Sequence, residues 1–472
     1  MFVGFSCSGG AADTSSRPGA VSFDPELLPV PSSSDAACRT SGDDSCSMLA
    51  AAGSLVSFYT SRETVVEAVT GEIRRTNMAR SILQSMIKVI DDTIVKPAAV
   101  TSKKPSNSAA NIASGLFPAL VFEFLALRQD GGGKKAMDPV IPCSSAFPDS
   151  VSRSVVKRLS PFVHDLLRCK GDIAVNTCNN ISKLILAGFT IATALTPSPH
   201  GLDANVVVSG LEDASATEIS IACAGYRHSI LKSHFFKLAR LYIGPAEELH
   251  ARVFILCQRY FVLTGSAENP AQEGGWHGSV PPQVMKSLSS STDFAFGGEC
   301  FASPFNASCT AYFSAFPDTD CYFGSVGSFF GGPKPTKGLF EANPPFEHAT
   351  VMAMSHRMIS LLNESKEPLA FLIVLPWADK GKPLSSTNLF RAEVEASGYL
   401  SATTDLEGSR TPFVDGYQQS SYNSAFTSRL DTRILFLHNH AHAALHPQAN
   451  VQRFLGEIAE EWCVGPKRSR EA

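Results

Sequence analysis

The sequence predicts an α/β protein, a sheet-based unit covered by helices on both faces and preceded by a mainly helical region. "PLAFLIVLPW" at 368–377 and "TRILFLHN" at 432–439 are continuous apolar runs of strand length, the pattern of strands buried on both sides. A helical stretch at 352–362 lies between a strand-like run at 338–342 and the first of these, and strand–helix–strand order builds a parallel sheet. From 48 to about 265, by contrast, apolar residues recur mostly at helical spacing.

Residues 1–47 are rich in Ser, Ala, Gly, Pro and Asp and read as a disordered tail. Regular structure is expected near Leu55. Thr60 and Glu63 have capping-box spacing ahead of Val66, Val69, Ile73, Ile82, Met86, Ile90 and Ile94. That helix should end at Pro97, with Gly71 a candidate break. A polar linker at 102–108 leads to a second apolar helix reaching Arg128, and Gly131–Gly133 opens an irregular loop through Pro148. Further helices are expected at 151–169, 179–195, 226–243 and 246–263, interrupted by β-like runs at 206–208 and 219–222. A Gly/Pro-rich connection at 274–282 and a short helix precede an apolar run at 294–302, read as a buried strand. The expected organisation is a tail (1–47), a mainly helical domain (48–265), a sheet domain (266–464) and a basic tail (465–472). "GPKRSR" in that last tail is a candidate nuclear-targeting signal.

The bulk numbers bound the function. At 472 residues the chain is long enough for two folded units. A net charge of -4 and a pI of about 6.3 exclude a histone-like binder, so a polyanion would need a local basic patch. Twelve cysteines without one Cys-x-x-Cys pair argue against a zinc ribbon or a disulfide scaffold and for a reducing compartment. No basic-then-apolar leader opens the sequence. The longest apolar run is read at 184–195, too short for a bilayer, so no membrane contact is expected.

The stretch "FEANPPFEHA" at 340–349 is the strongest local signal. Two adjacent prolines forbid helix at the asparagine and remove two backbone donors. Asn343 and the nearby carbonyls are thereby kept for a ligand, although a plain turn has the same sequence. An exocyclic aromatic amine such as N6 of adenine is a poor nucleophile because its lone pair is delocalised into the ring. An amide oxygen and a carbonyl accepting its two N–H bonds would aim that lone pair, and Asn343 with the Pro344 carbonyl are the right types. Pro345 stiffens the turn, and Phe346 offers a face for the base. Upstream, "ECFASPFN" at 299–306 is a small-residue loop suited to close backbone approach. "AFPDTDCYFGSVGSFFGG" at 315–332 adds Asp318 and Asp320 for ribose hydroxyls, each equally readable as a turn aspartate. Gly324 and Gly327 have no Walker lysine behind them.

Taken together, "ECFASPFN", "SAFPDTDCYFGSVG", "FEANPPF", "EPLAFLIVLPW" and "ILFLHN", extended upstream by "RYFVLTG" and "HGSVPPQVMKSL", resemble the cap-specific adenosine N6-methyltransferase family over residues 225–460. The resemblance implies a Rossmann-like class I methyltransferase domain behind the helical one, with S-adenosylmethionine as cofactor. The implied substrate is capped mRNA or small RNA beginning with adenosine, methylated on N6 beside the 7-methylguanosine. Asn343, Pro344, Pro345 and Phe346 are then the catalytic motif. Phe301, Ala302, Ser303, Pro304, Asn306, Asp318, Asp320, Gly324 and Ser325 hold the donor together with Asn343. Glu347, His348, Trp377, Phe413 and Tyr417 are the cap contacts. Trp377 could stack on the positively charged base or merely plug the sheet end. Arg227 and Lys232, with Lys237 and Arg240 on one predicted helix, are candidates for a phosphate track, and Arg74, Arg75 and Arg80 for a second.

Two places depart from the family: His348 stands where an acidic residue is expected, and a Pro-Glu-Trp is shortened to Pro376-Trp377. Only Trp276, Trp377 and Trp462 occur, none in a small three-strand pattern, so no WW domain and no WW-mediated polymerase contact are expected. Methylation of adenine in DNA or uncapped RNA, and a catalytically silent cap-binding homologue, stay open. His438, His440 and His442 would share one face of an extended chain, but with no carboxylate or cysteine nearby no metal is expected. A monomer located in the nucleus, with the cytoplasm also open, completes the expectation.

Overall fold

The computed structural model describes residues 43–100, 108–127, 138–142, 146–147, 151–167, 172–195, 204–263, 278–291, 293–377, 385–415, 425–427 and 430–463. Residues 1–42 of the N-terminal tail, the whole basic tail, Gly131–Gly133, Trp276 and Tyr417 therefore lie outside the described residues, while 43–47, expected in the tail, are helical.

Helix α1 (Asp43–Thr60) starts well before Leu55. Its apolar residues serve two cores, Met48 and Ala52 packing on the sheet and Val56 on the helices, which blurs the single stripe that periodicity detects. The capping box exists one turn later than expected: Thr64, not Thr60, caps α2 (Val65–Ile90). Its hydroxyl accepts from Glu67 N at 3.3 Å, and Glu67 accepts from Thr64 N at 2.8 Å, an arrangement that contributes about 1 kcal/mol. Gly71 sits inside α2 without breaking it. Pro97 does not end the helix either. A π turn (Asp91–Val95) re-registers the ladder, and Pro97 falls in the first turn of α3 (Lys96–Val100), where no N–H is required.

Helices α4 (Ala109–Leu127), α5 (Arg153–Leu167) and α6 (Asp172–Leu195) follow. By length and composition α4 is apolar enough to cross a bilayer, a run missed at 184–195; 61% of its apolar window is buried inside the protein. The helix expected at 226–243 is a strand for its first six residues. β1 (Val207–Ser209), β2 (Glu218–Cys223) and β3 (Tyr226–Leu231) form an antiparallel sheet in which Ile221 faces His228 and Ile219 faces Ile230. Cross-strand pairing overrides the weak helical pattern there. Then come α7 (Lys232–Leu241) and α8 (Leu249–Leu263).

The remaining elements are β4 (Gly278–Ser279), α9 (Pro282–Ser290), β5 (Phe296–Glu299), α10 (Pro317–Asp320), β6 (Gly338–Ala342), α11 (His348–Glu364), β7 (Leu369–Trp377), α12 (Ser385–Ala396), β8 (Leu400–Leu406), β9 (Pro412–Asp415), β10 (Ala425–Thr427), β11 (Asp431–His438), α13 (His440–Leu445) and α14 (Gln448–Cys463). The main sheet has the order β5-β6-β7-β11-β8, and β4, β9 and β10 make a separate small one. β5, β6 and β7 are parallel, as expected, but β11 is antiparallel to both neighbours. The sheet is therefore mixed: β11 slots between β7 and β8 from the opposite end. The strand expected at 294–302 is only four residues long. At Gly297 a Cβ would lie 2.5 Å from the Phe340 ring, so the glycine lets that ring cross the strand.

Alternate residues of β7 feed opposite faces. Phe371, Ile373 and Leu375 pack with Met354, Met358 and Leu361 of α11, while Leu372 and Val374 pack with Val284 of α9 and Leu455 of α14. The helical core extends into Phe305, Phe316, Tyr322 and Phe323, beyond β5. A buried ion-pair chain runs beside them. Arg259 of α8 is 1% exposed and binds Glu72 of α2 at 2.5 Å and Asp318 at 2.6 and 2.9 Å. Glu72 also takes Arg75, which reaches Asp138 at 2.9 Å.

Two outcomes follow. Arg259→Met should lower stability by about 3–5 kcal/mol, because it leaves Asp318 without its guanidinium and Glu72 with Arg75 alone; denaturant unfolding reads this directly, and a loss under about 1 kcal/mol would mean Asp318 finds another partner. The second concerns His438 and His442, whose Nδ1 atoms lie 3.1 Å apart, with the His442 ring stacked on Phe294. Burial, then His446 and His438, push His442 down from the ordinary 6.5 to about 3. The unfolded chain accepts a proton the folded one refuses, so stability should decline as pH falls from 6.5 toward 3. His442→Phe should flatten that decline in unfolding curves taken at different pH values.

Candidate active site

β6 delivers Asn343 to the carboxyl edge of the sheet, where Pro344 and Pro345 stop the pairing. The side chain of Asn343 is half-buried, and its Nδ2 donates to the Gly278 carbonyl at 2.6 Å. Gly278 belongs to β4, which β9 anchors through the Gly278–Asp415 pairing. The amide is thus oriented by one of its ends, and among the described residues Oδ1 has no partner.

A cavity of about 460 Å³ opens there. Asn343 and Pro345 line it, with Phe301, Ala302, Ser303, Asn306 and Asp318 from the segment after β5. The sequence reading thus placed seven residues that the fold brings together. It did not assign the other lining residues: Phe58 and Tyr59 at the end of α1, Arg62 and Glu63 on the turn after it, Phe122 of α4, and Phe329 and Phe330; Arg75 of α2, read as a phosphate-track candidate, lines the cavity with them. Arg62 lies 3.9 Å over the Phe58 ring. A Phe-Tyr pair ending an otherwise small-residue helix was the only sequence cue.

Other predicted residues hold the frame instead. Asp320 is fully buried, accepting from Tyr260 and Thr319 at 2.9 Å each, and burial raises its carboxyl to about 7. Its expected contact with ribose is corrected: its oxygens face the interior. Ser325 pairs with Ser314 at 2.7 Å. Gly324 has φ +96°, and a Cβ there would lie 2.3 Å from the Thr310 carbonyl, so glycine is required for the turn. Pro304 and Pro344 are buried, and neither they nor Gly324 and Ser325 line the cavity. Asn306 lines it, but its amide closes the loop, accepting from Ser303 N at 2.6 Å and donating to Ser279 at 2.9 Å. Phe346 is half-buried against the sheet core, outside the lining.

Glu347 is corrected from a cap contact to a helix cap. It is 5% exposed, accepts from Thr350 N at 3.0 Å at the start of α11, and takes Ser154 of α5 at 3.1 Å. The Glu-x-x-Thr spacing is the signal that could have revealed it. Glu123, also buried, receives Arg153 N at 2.8 Å and Ser154 N at 3.0 Å, fixing the first turn of α5 against the motif. His348 is half-buried; burial first, then Lys157 and Arg153, lower its pKa.

Phe413 is a core residue, 5% exposed and edge-on to Trp462. One face of Trp377 carries the chain's own Arg433 at 3.9 Å, which Asp405 holds at 2.5 and 2.7 Å. Arg227 is on β3 beside Ser220, and Lys232, the first residue of α7, donates to the Asp213 carbonyl at 2.9 Å; neither lines the cavity. Lys237 is 1% exposed and donates to the Phe305 carbonyl at 2.8 Å, so it ties α7 to the loop.

Residues 234–416 match a family model described as the phosphorylated CTD interacting factor 1 WW domain. Two curated relatives, the mRNA (2'-O-methyladenosine-N(6)-)-methyltransferases of Mus musculus and Homo sapiens, are 38% and 37% identical over 177 residues. The alignment covers 35% of this chain and 24% of each relative, so the chain spans about a quarter of the curated relatives it matches. A solved methyltransferase subunit of a type I restriction-modification system from Streptococcus thermophilus aligns over 84% of this chain and 85% of that one, at 10% identity and a TM-score of 0.22, too low to bear on the fold. The family description names a WW domain, which goes against the expectation that this chain has no such module and no such polymerase contact.

Removing the cap of α11 gives a direct check. Glu347→Ala should cost about 1–2 kcal/mol in denaturant unfolding, and Glu347→Gln distinctly less, since an amide oxygen can still accept from Thr350 N. Equal losses would make charge, rather than the cap, the cause.

Proposed function

We propose that the protein transfers a methyl group from S-adenosylmethionine to N6 of the cap-adjacent adenosine of a capped RNA. One observation carries the reading: Asn343, its Nδ2 pinned by the Gly278 carbonyl and its Oδ1 without a partner among the described residues, lines a ligand-sized cavity at the carboxyl edge of parallel strands. Similarity to the two N6-methyltransferases over 177 residues and a sheet with one antiparallel strand inserted before its edge support a Rossmann-like methyltransferase domain.

The cavity suits such a donor. Aromatic walls (Tyr59, Phe301, Phe329) fit a purine, and carboxylates and guanidiniums at one end fit hydroxyls and an amino-acid head. When bound, S-adenosylmethionine supplies a methyl carbon made electrophilic by the sulfonium. Asn343 Oδ1 and the Pro344 carbonyl would accept the two N6–H bonds and hold the lone pair out of conjugation with the ring. So held, N6 would take the methyl group as the carbon–sulfur bond breaks, and its surplus proton would pass to solvent. No strong base is required, because the attacking nitrogen becomes acidic only as the new bond forms. Phe346 offers the exposed part of its ring to the adenine.

The RNA phosphates are assigned to the first turns of α5, where Arg153 and Lys157 stand beside His348 and the helical domain forms one wall of the groove. Burial, and then Arg158, lower the Lys157 ammonium to about 8, against the pull of Glu347; a phosphate there would restore its charge. A nuclear, monomeric protein accompanies this reading.

Asn343→Ala should abolish methyl transfer while binding of S-adenosylhomocysteine survives. Mass spectrometry of capped and uncapped oligonucleotides beginning with adenosine reports product, site and cap dependence together. Full activity in the variant overturns the mechanism, and equal activity on uncapped RNA moves the substrate to the alternative class.

A further inference from the structure

We infer that Glu63, on the turn between α1 and α2, is the carboxylate that receives the α-ammonium of the methyl donor at the cavity rim. This rests on the reading of the cavity as a donor site and names the contact at one of its ends.

The sequence pointed to Asp318 and Asp320 as acids facing the donor, and Asp320 is buried against Tyr260 and Thr319. In the structure both Asp318 oxygens are engaged by the buried guanidinium of Arg259, at 2.6 and 2.9 Å. Glu63 lines the same cavity, is exposed to it, and among the described residues its carboxylate makes no hydrogen bond or ion pair. It is an acid with a ligand-facing position and no internal task.

Charge accounting gives the sign of what should bind. Arg75 is shared by Glu72 and Asp138, and Arg259 by Glu72 and Asp318, so three carboxylates surround two guanidiniums. Glu63 and its neighbour Arg62, both cavity-lining, add one charge of each sign. Arg252 is matched by Glu248 at 2.8 Å and adds none. One negative charge is left over. Burial, with Asp318 and Glu72 acting the same way against Arg75, raises the Glu63 carboxyl above its ordinary range, and a bound cation would reverse that.

S-adenosylmethionine carries two cationic centres. Its sulfonium must lie at Asn343 for the methyl to be transferred, so the ammonium is the one left for Glu63. The carboxylate of the same amino-acid head then meets Arg62, the adjacent residue, whose guanidinium is already held over the Phe58 ring. The adjacent acid–base pair thus matches a zwitterion. The leftover negative charge also repels a polyanion, which keeps RNA from this mouth of the cavity.

The test titrates the full chain and its Glu63→Gln variant with two probes, S-adenosylhomocysteine and 5'-methylthioadenosine, which has the nucleoside and thioether but no amino-acid head. Loss of one charge-assisted contact should weaken S-adenosylhomocysteine roughly tenfold or more and leave 5'-methylthioadenosine unchanged. Equal weakening of both probes would put Glu63 on the nucleoside and overturn the assignment. So would unaltered affinity for S-adenosylhomocysteine. Failure of the unmodified chain to bind either probe is a different result: it removes the donor-site reading, and this contact falls with it.

Discussion

The guanidinium of Arg259 is the point on which the two halves of the molecule agree. It sits on a helix of the N-terminal half with Glu72 on one side and, on the other, Asp318 from the segment beyond β5. A charge this thoroughly removed from water is tolerated only when its donors are met by carboxylates. The loop carrying Asp318 is therefore held to the helices as firmly as their own packing holds them. Tyr260, next along α8, reaches Asp320 in the same loop, and Lys237 reaches the Phe305 carbonyl. These polar anchors act together with the burial of aromatic residues 316, 322 and 323 in the helical core to hold a wall of the cavity in place.

Around that cavity polar side chains divide into two kinds. Asn306, Ser325, Asp320 and Glu347 spend their hydrogen bonds on the protein itself, closing a loop, joining two loop segments, tying a loop to α8 or capping a helix. Asn343 spends half: its nitrogen is tied to Gly278 and, among the described residues, its oxygen is left. That asymmetry gives the motif its use, because an amide with both ends engaged could not receive a ligand and one with neither would rotate. It also explains why two short pieces far apart in sequence, 278–279 and 342–346, belong to a single device.

The surroundings of the cavity are electrically uneven. At the end near α1 and α2 carboxylates outnumber guanidiniums by one, whereas the first turns of α5 bring Arg153 and Lys157 to His348. A protein with a net charge of -4 can still approach a polyanion if its positive groups are gathered on one side.

What the sequence alone determined is what local pattern encodes. The apolar runs of β7 and β11, the helix of α11 and the stiff turn at 343–346 were all legible because strand burial, helical period and proline stereochemistry act within a few residues. Partner choice does not act locally. Whether β11 runs parallel or antiparallel to β7, whether 226–231 finds a strand to pair with, and whether Phe413 meets Trp462 or solvent depend on chain segments tens of residues distant. The same holds for Glu347, which became a cap because α11 begins at the next residue, and for Glu63, which reaches the cavity only because α1 is laid against the segment after β5. Composition and spacing record which residues are to be buried or exposed; only the closed structure decides what they are buried against, since long-range contacts leave no period in the chain.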